Sequence, residues 1–203
     1  NHHVTANFAG FIENFSNYQA NFLDTVAGAT VTRLINAGSV SSKGFEGDIS
    51  THPFRYVTFG GNFAYTFATV DHVRCPTGAP LSCNIDGQPL PFAPRWKLAL
   101  NADYTRPLND RLTLSLDSDY TWQSQTQYTL NETPDTIQKA YGIWNLSTTI
   151  EDRKLRLRLT LVMRNAINSH YASYKAYGSL GGVVNWLPRD YGRYGGFVLH
   201  KDF

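Results

Sequence analysis

Asp117 and Asp119 stand two residues apart, and Thr113 and Ser115 precede them at the same spacing. On an extended chain all four side chains share one face, because strand side chains alternate with a period of two. Two carboxylates so placed can give and take protons, and they can equally line a wet polar wall. The wall is the reading adopted, since no Gly-x-Ser-x-Gly, His-Glu-x-x-His or Cys-x-x-Cys motif accompanies them. Arg156, Arg158 and Arg164 also fall on one strand face. They would attract an anion, or line the same wall and pair with carboxylates nearby. The histidines at 2, 3, 52, 72, 170 and 200 are scattered. His2 and His3 are neighbours, so on a strand they point to opposite faces and cannot share a metal. No catalytic, metal-binding or cofactor-binding residue is assigned, and no cofactor is expected.

The elements that position these residues are strands. From Lys154 to Asn165 the chain reads Lys-Leu-Arg-Leu-Arg-Leu-Thr-Leu-Val-Met-Arg-Asn. Leu155, Leu157, Leu159, Leu161 and Met163 take one face; Arg156, Arg158, Thr160, Val162 and Arg164 take the other. The chain shows no amphipathic helix that could cover the apolar face. A membrane barrel, with lipid outside and a polar lumen inside, suits such a strand. Eight segments show strand character: 4–15, 40–51, 56–70, 95–105, 111–123, 141–151, 155–165 and 191–203. In the fifth, Leu112, Leu114 and Leu116 oppose Thr113, Ser115 and Asp117. Helix is expected to be nearly absent. The connections alternate, short at 51–56, 105–111 and 151–155, long at 15–40, 70–95, 123–141 and 165–191. An up-and-down meander then gathers the short turns at one end and the long loops at the other, as outer-membrane barrels do.

Composition agrees. Charged residues make up 17% of the 203 residues, below the roughly 25% of soluble domains. No apolar run approaches the roughly 20 residues of a spanning helix. A net charge of +2 without a basic cluster gives no reason to expect nucleic acid. Asn1-His2-His3 opens directly into strand-like sequence, so the expectation is a removed leader or a start inside a longer polypeptide.

Several local patterns resemble one family. Asn36-Ala37-Gly38 followed by Ser42-Lys43-Gly44-Phe45-Glu46-Gly47, then Asn62-Phe63-Ala64-Tyr65-Thr66, resemble two consecutive strands of TonB-dependent outer-membrane receptors. Pro91-Phe92-Ala93-Pro94-Arg95-Trp96 is similar to the proline-rich run before their next strand. Arg164-Asn165-Ala166-Ile167-Asn168-Ser169-His170-Tyr171 resembles the "Asn-Leu-x-Asp-x-x-Tyr" signature, with Ala166 and Asn168 as departures. Pro188-Arg189-Asp190-Tyr191-Gly192 resembles the start of the last strand, and Phe203 resembles the terminal aromatic used in barrel assembly. Lys201 departs from the apolar residue usual two places before it.

The resemblance implies an all-β fold, a transmembrane antiparallel β-barrel of about 22 strands around a plug. Residues 1–203 would supply its eight C-terminal strands, without plug or earlier strands. It implies uptake of a scarce solute, whether ferric siderophore, cobalamin-like molecule or saccharide. The solute-binding residues stay unknown. Implied partners are membrane lipid and lipopolysaccharide, the plug, the TonB complex, the barrel-assembly machinery and a small-molecule ligand. The long loops would be extracellular, with the short turns and C-terminus periplasmic. Asp117, Asp119, Arg156, Arg158 and Arg164 would face the lumen. Cys75 and Cys83 share one Gly/Pro-rich segment of a loop expected outside the cell, where a disulfide forms and persists. Two other readings compete: a complete eight-stranded barrel with a structural or adhesive role, and an outer-membrane enzyme. Pairing of the first strand with the last would mark the complete barrel.

Overall fold

The fold comes from a computed structural model. It describes residues 3–26, 29–36, 38–73, 84–130, 134–178 and 182–203; of 20–26, 29–33 and 35 the backbone alone is described. Cys75 and Cys83 lie outside the described residues. The strands in chain order are β1 (Val4–Ser16), β2 (Gln19–Val26), β3 (Ala29–Asn36), β4 (Ser39–Phe54), β5 (Val57–His72), β6 (Trp96–Pro107), β7 (Leu112–Gln123), β8 (Thr126–Gln127), β9 (Ile137–Gln138), β10 (Tyr141–Asp152), β11 (Leu157–Arg164), β12 (Tyr174–Tyr177), β13 (Val183–Trp186) and β14 (Tyr194–Lys201). Among the described residues helix is confined to one 3-10 turn, Pro134–Thr136.

Eight of these strands form a single antiparallel sheet in the order β1-β4-β5-β6-β7-β10-β11-β14. They are the eight segments expected from the sequence, with ends shifted by no more than three residues. Consecutive long strands pair with each other, and β1 and β14 are the two edges. The sheet is open, so the closed eight-stranded barrel is not what this chain forms. Both chain ends lie at the short-turn end: Val4 is opposite Thr51, and Lys201 is opposite Leu157.

The short turns are built by side chains that cap backbone amides. Asn109 Oδ1 accepts from the amides of Arg111 and Leu112, at 2.9 and 2.8 Å. Asp152 Oδ1 accepts from Lys154 and Leu155, both at 3.0 Å. Asn and Asp suit such turns because a short acceptor reaches the amides just ahead. One boundary differs from expectation. The strand expected from Leu155 begins at Leu157, and Arg156 sits in the turn with φ 50°. The Asp152 turn consumes Leu155 and Arg156, so neither belongs to the alternating face pattern.

One register runs through all eight strands, so each dyad joins its neighbour's. Phe8, Gly47, Phe63, Leu98, Trp122 and Gly142 form one cross-strand row. Rows on this face add Leu116, Leu159, Leu161 and Phe197. Aromatic rings pack across it: Phe8 on Phe45 at 6.0 Å between centroids, Phe45 on Tyr65 at 5.3 Å, and Tyr65 on Trp96 at 4.8 Å. Gly44 and Gly47 serve close approach. A Cβ on Gly44 would strike the Tyr65 carbonyl, and one on Gly47 would sit 2.9 Å from the Phe63 ring. On the other face runs the row Thr58, Asp103, Asp117, Ser147, Val162, Gly196.

Candidate functional site

The polar face gathers most of the residues singled out in the sequence. Asp117 and Asp119 point to it from β7, and Arg158 and Arg164 from β11. Asp103 on β6 stands directly across from Asp117. Ser147 Oγ donates to Asp117 at 2.7 Å, and Asn101 Nδ2 donates to Asp103 at 3.1 Å. Arg158 pairs with Glu151 at 3.3 Å. Among the described residues no arginine pairs with Asp117 or Asp119, and the Ser147 hydroxyl is what reaches Asp117. Arg156 stands apart, in its turn at the short-turn end. Among the described residues no group of three metal-ligating side chains converges. His52 meets Thr58, His72 meets Asp86, His200 meets Asp202 and His170 packs on Tyr191, and all four histidines are exposed. This face can hold water, ions and a hydrogen-bonding partner.

At the other end the long loops fold back over that same face. Val40 and Val70 are opposite each other on it, and both are fully buried beneath Ile85 and Leu130. Burial of such a side chain contributes about 1.5–3 kcal/mol. The loop between β7 and β10 binds its neighbours on both sides. Gln127 Nε2 donates to Pro89 O at 2.5 Å, and the Phe92 amide donates to Gln127 O at 2.9 Å. On the other side Tyr128 Oη donates to Ala172 O at 2.8 Å, and the Ala172 amide donates to Gln138 Oε1 at 2.9 Å. A cleft of about 400 Å³ remains, lined in part by Leu90, Arg95, Trp96, Gln127 and Ile137. Burial pushes the Tyr128 hydroxyl up to about 12, with the nearby Tyr141 adding to the shift. Burial also raises Tyr171, whose hydroxyl donates to Asp190 at 2.9 Å.

Asn165 closes this layer. It is fully buried and holds φ at 50°. Its Nδ2 donates to Ser169 O at 2.7 Å and to Asp190 O at 3.0 Å, while its Oδ1 accepts the Ser169 amide at 2.8 Å. Asn168, also at positive φ, accepts the Arg193 amide at 2.9 Å. Tyr171 stacks on Tyr141 at 4.2 Å. The segments 164–171 and 188–192, quoted above as separate motifs, are thus one clamp joining the end of β11 to the start of β14.

The comparisons with known proteins now bear on this geometry. The family described as "TonB dependent receptor-like, beta-barrel" matches residues 1–166. The chain belongs to that family. TonB-dependent receptors are outer-membrane transport proteins, not enzymes. Solved structures agree in fold. The ferric yersiniabactin uptake receptor FyuA from Yersinia pestis superposes with a TM-score of 0.77 at 16% identity, over 100% of this chain and 28% of its own. The siderophore receptor PiuA from Acinetobacter baumannii gives 0.69 at 16% identity, over 97% and 26%. BauA, the ferric preacinetobactin receptor of the same organism, gives 0.64 at 15% identity, over 97% and 26%. The chain therefore spans little more than a quarter of the receptors it resembles. No protein of curated function matches the sequence.

Within this TonB-dependent receptor sheet, the sequence did not reveal the part played by the loops. In the sequence Asn165 is visible only as a motif residue. Its clue was a lone Asn after an alternating strand, the residue type most tolerant of positive φ. Gln127, Gln138 and Tyr128 gave no signal, because loop-to-loop bonds have no period.

Proposed function

We propose that this chain is the C-terminal eight strands of a TonB-dependent transporter barrel of about 22 strands, taking up a scarce solute of the ferric-siderophore, cobalamin or saccharide kind. The open sheet carries this reading. One face is apolar, the other is polar, and among the described residues β1 and β14 each leave a strand edge with no partner. Bare backbone edges cannot face lipid, so further strands must continue the wall. In this arrangement the apolar face meets lipid, while Asp117, Asp119, Arg158 and Arg164 line the lumen around a plug of the same polypeptide. Arg156 sits at its periplasmic rim. The long loops face outward and capture the ligand, and the short turns and C-terminus are periplasmic. Phe203, fully exposed beyond β14, is available to the assembly machinery. Cys75 and Cys83 form a disulfide in an outer loop. The solved neighbours named for siderophores favour the ferric-siderophore class.

The test is uptake. Cells carrying the receptor should accumulate a labelled ferric siderophore only when TonB is present, and the purified protein should have a mass several times 22.8 kDa. Accumulation independent of TonB, or a stable 22.8 kDa barrel, would overturn the proposal. Non-reducing alkylation should leave Cys75 and Cys83 unlabelled; two freely labelled thiols would remove the disulfide alone.

A further inference from the structure

At the short-turn end, the rim of the wall holds a charged hollow of about 150 Å³, lined by Glu151, Arg153, Arg156, Leu157, Arg158 and Asp202. Glu151 and Arg158 reach it from the polar face, directly opposite each other on β10 and β11. Both carboxylates are engaged: Glu151 pairs with Arg158 at 3.3 Å, and Asp202 meets His200 at 2.8 Å. Arg153 and Arg156 are exposed, and neither has a carboxylate partner among the described residues. Cations gathered at one hollow repel each other; an anion between them would offset this. Arg156 also holds a φ of 50°, a conformation that Asn or Gly takes at less cost. The turn alone does not call for an arginine there, so its guanidinium is the part to explain.

The place of the hollow in the wall says which anion. On the reading proposed above, β14 is the last strand of a closed barrel, and a barrel closes by pairing its last strand with its first. With an even number of antiparallel strands, the first strand starts at the end where β14 stops, which is the short-turn end. The hollow lies against that point. Asp202 follows β14, and its amide donates to Arg156 O at 3.0 Å. Neighbouring strands are about 4.8 Å apart, so the start of the first strand falls two strand spacings from β11. A plug in the lumen is joined to that first strand by a linker. The linker must cross the rim here, passing from the polar face into the wall.

We infer that Arg153 and Arg156 hold carboxylates of an acidic linker that joins the plug to the first strand of the barrel. The inference rests on the plug-filled barrel proposed above. A guanidinium fork matches a carboxylate at two points. Two such forks on one turn fix where an extended segment leaves the lumen, which a single charge would not do.

The test uses the full-length receptor in its membrane, with a photoreactive benzophenone side chain in place of His200. That position is opposite Arg158 on the same rim and leaves Arg153 and Arg156 intact. Illumination followed by peptide mapping should give a crosslink to the segment between plug and first strand, at or beside an Asp or Glu. In the Arg153→Gln, Arg156→Gln double variant the yield should fall about fivefold, and Arg153→Lys, Arg156→Lys should keep most of it. Should the double variant fail to fold, salt serves instead: rising ionic strength should lower the yield in the parent. A crosslink to phospholipid, to TonB or to another periplasmic protein in place of the linker would overturn the inference. So would the absence of any crosslink, a linker without acidic residues, or a yield that ignores both the substitutions and salt. The readout needs no transport. A receptor that takes up its solute normally but gives no charge-dependent linker crosslink sinks this inference alone, whereas a stable 22.8 kDa barrel sinks the transporter reading.

Discussion

Asn165 shows how much one side chain can organise. Its amide group reaches Ser169, Asp190 and Ser169 again, from a backbone that most residues resist. Asn165→Ala should loosen the 165–193 loop and cost roughly 2–4 kcal/mol through several lost bonds and buried groups left without partners. Hydrogen exchange should then rise at residues 188–193; unchanged protection there would refute the clamp. Asn165→Gly keeps the positive φ accessible and removes only the side chain, so it separates backbone strain from bonding. Tyr128 gives a second prediction at this scale. Its folded pKa lies above the free value, so its contribution to stability is complete below about 10 and is lost as pH rises toward about 12. Phenolate absorbance should show a component that ionises above the free tyrosine value as the loop layer opens. A single titration near 10 would contradict the burial.

At the scale of elements, β5, β6, β7, β10 and β11 were legible because each repeats an apolar–polar alternation, and lipid on one side with water on the other enforces that alternation. The register then carried the dyads across every neighbour. The face assignment predicts opposite outcomes for like substitutions. Leu161→Arg, halfway up the apolar face opposite Thr148, should cost about 2–4 kcal/mol and lower the yield of folded barrel. Thr121→Arg, exposed on the polar face, should fold nearly as well as the parent. Heat-modifiable electrophoretic mobility distinguishes the two, and equal behaviour would undo the assignment. The β2–β3 and β12–β13 hairpins were not anticipated. Residues 29–36 have strand-forming composition but no clean alternation, and β12 and β13 span only four residues each. Neither hairpin has a membrane to impose a period, so the sequence carries no regular trace of it. Arg156 was misplaced for a related reason: alternation extrapolates through a turn that only the Asp152 side chain reveals.

For the whole molecule, sequence pattern and family likeness together gave the architecture, while the candidate site stayed largely hidden. The polar face could be read from periodicity, yet the partners of Asp117 could not, since they come from strands distant in sequence. The edges carry the last prediction. Paired cysteines introduced at Ala6 and Ile49, opposite each other on β1 and β4, should crosslink in the folded receptor. Cysteines at Phe8 and Phe197, on the two edge strands, should not. A crosslink between the edges would mean that this sheet closes on itself.

The meander has a consequence for how such walls change over generations. Every short turn lies at one end, every long connection at the other, and both chain ends return to the short-turn end. Two strands and the turn between them are therefore a unit that can be duplicated or deleted without turning the remainder upside down. A single added strand would invert everything after it, sending the long loops to the end that holds the short turns. Bore size in this architecture can thus be inherited only in even steps, and the long loops can diversify independently because each hangs from its own pair.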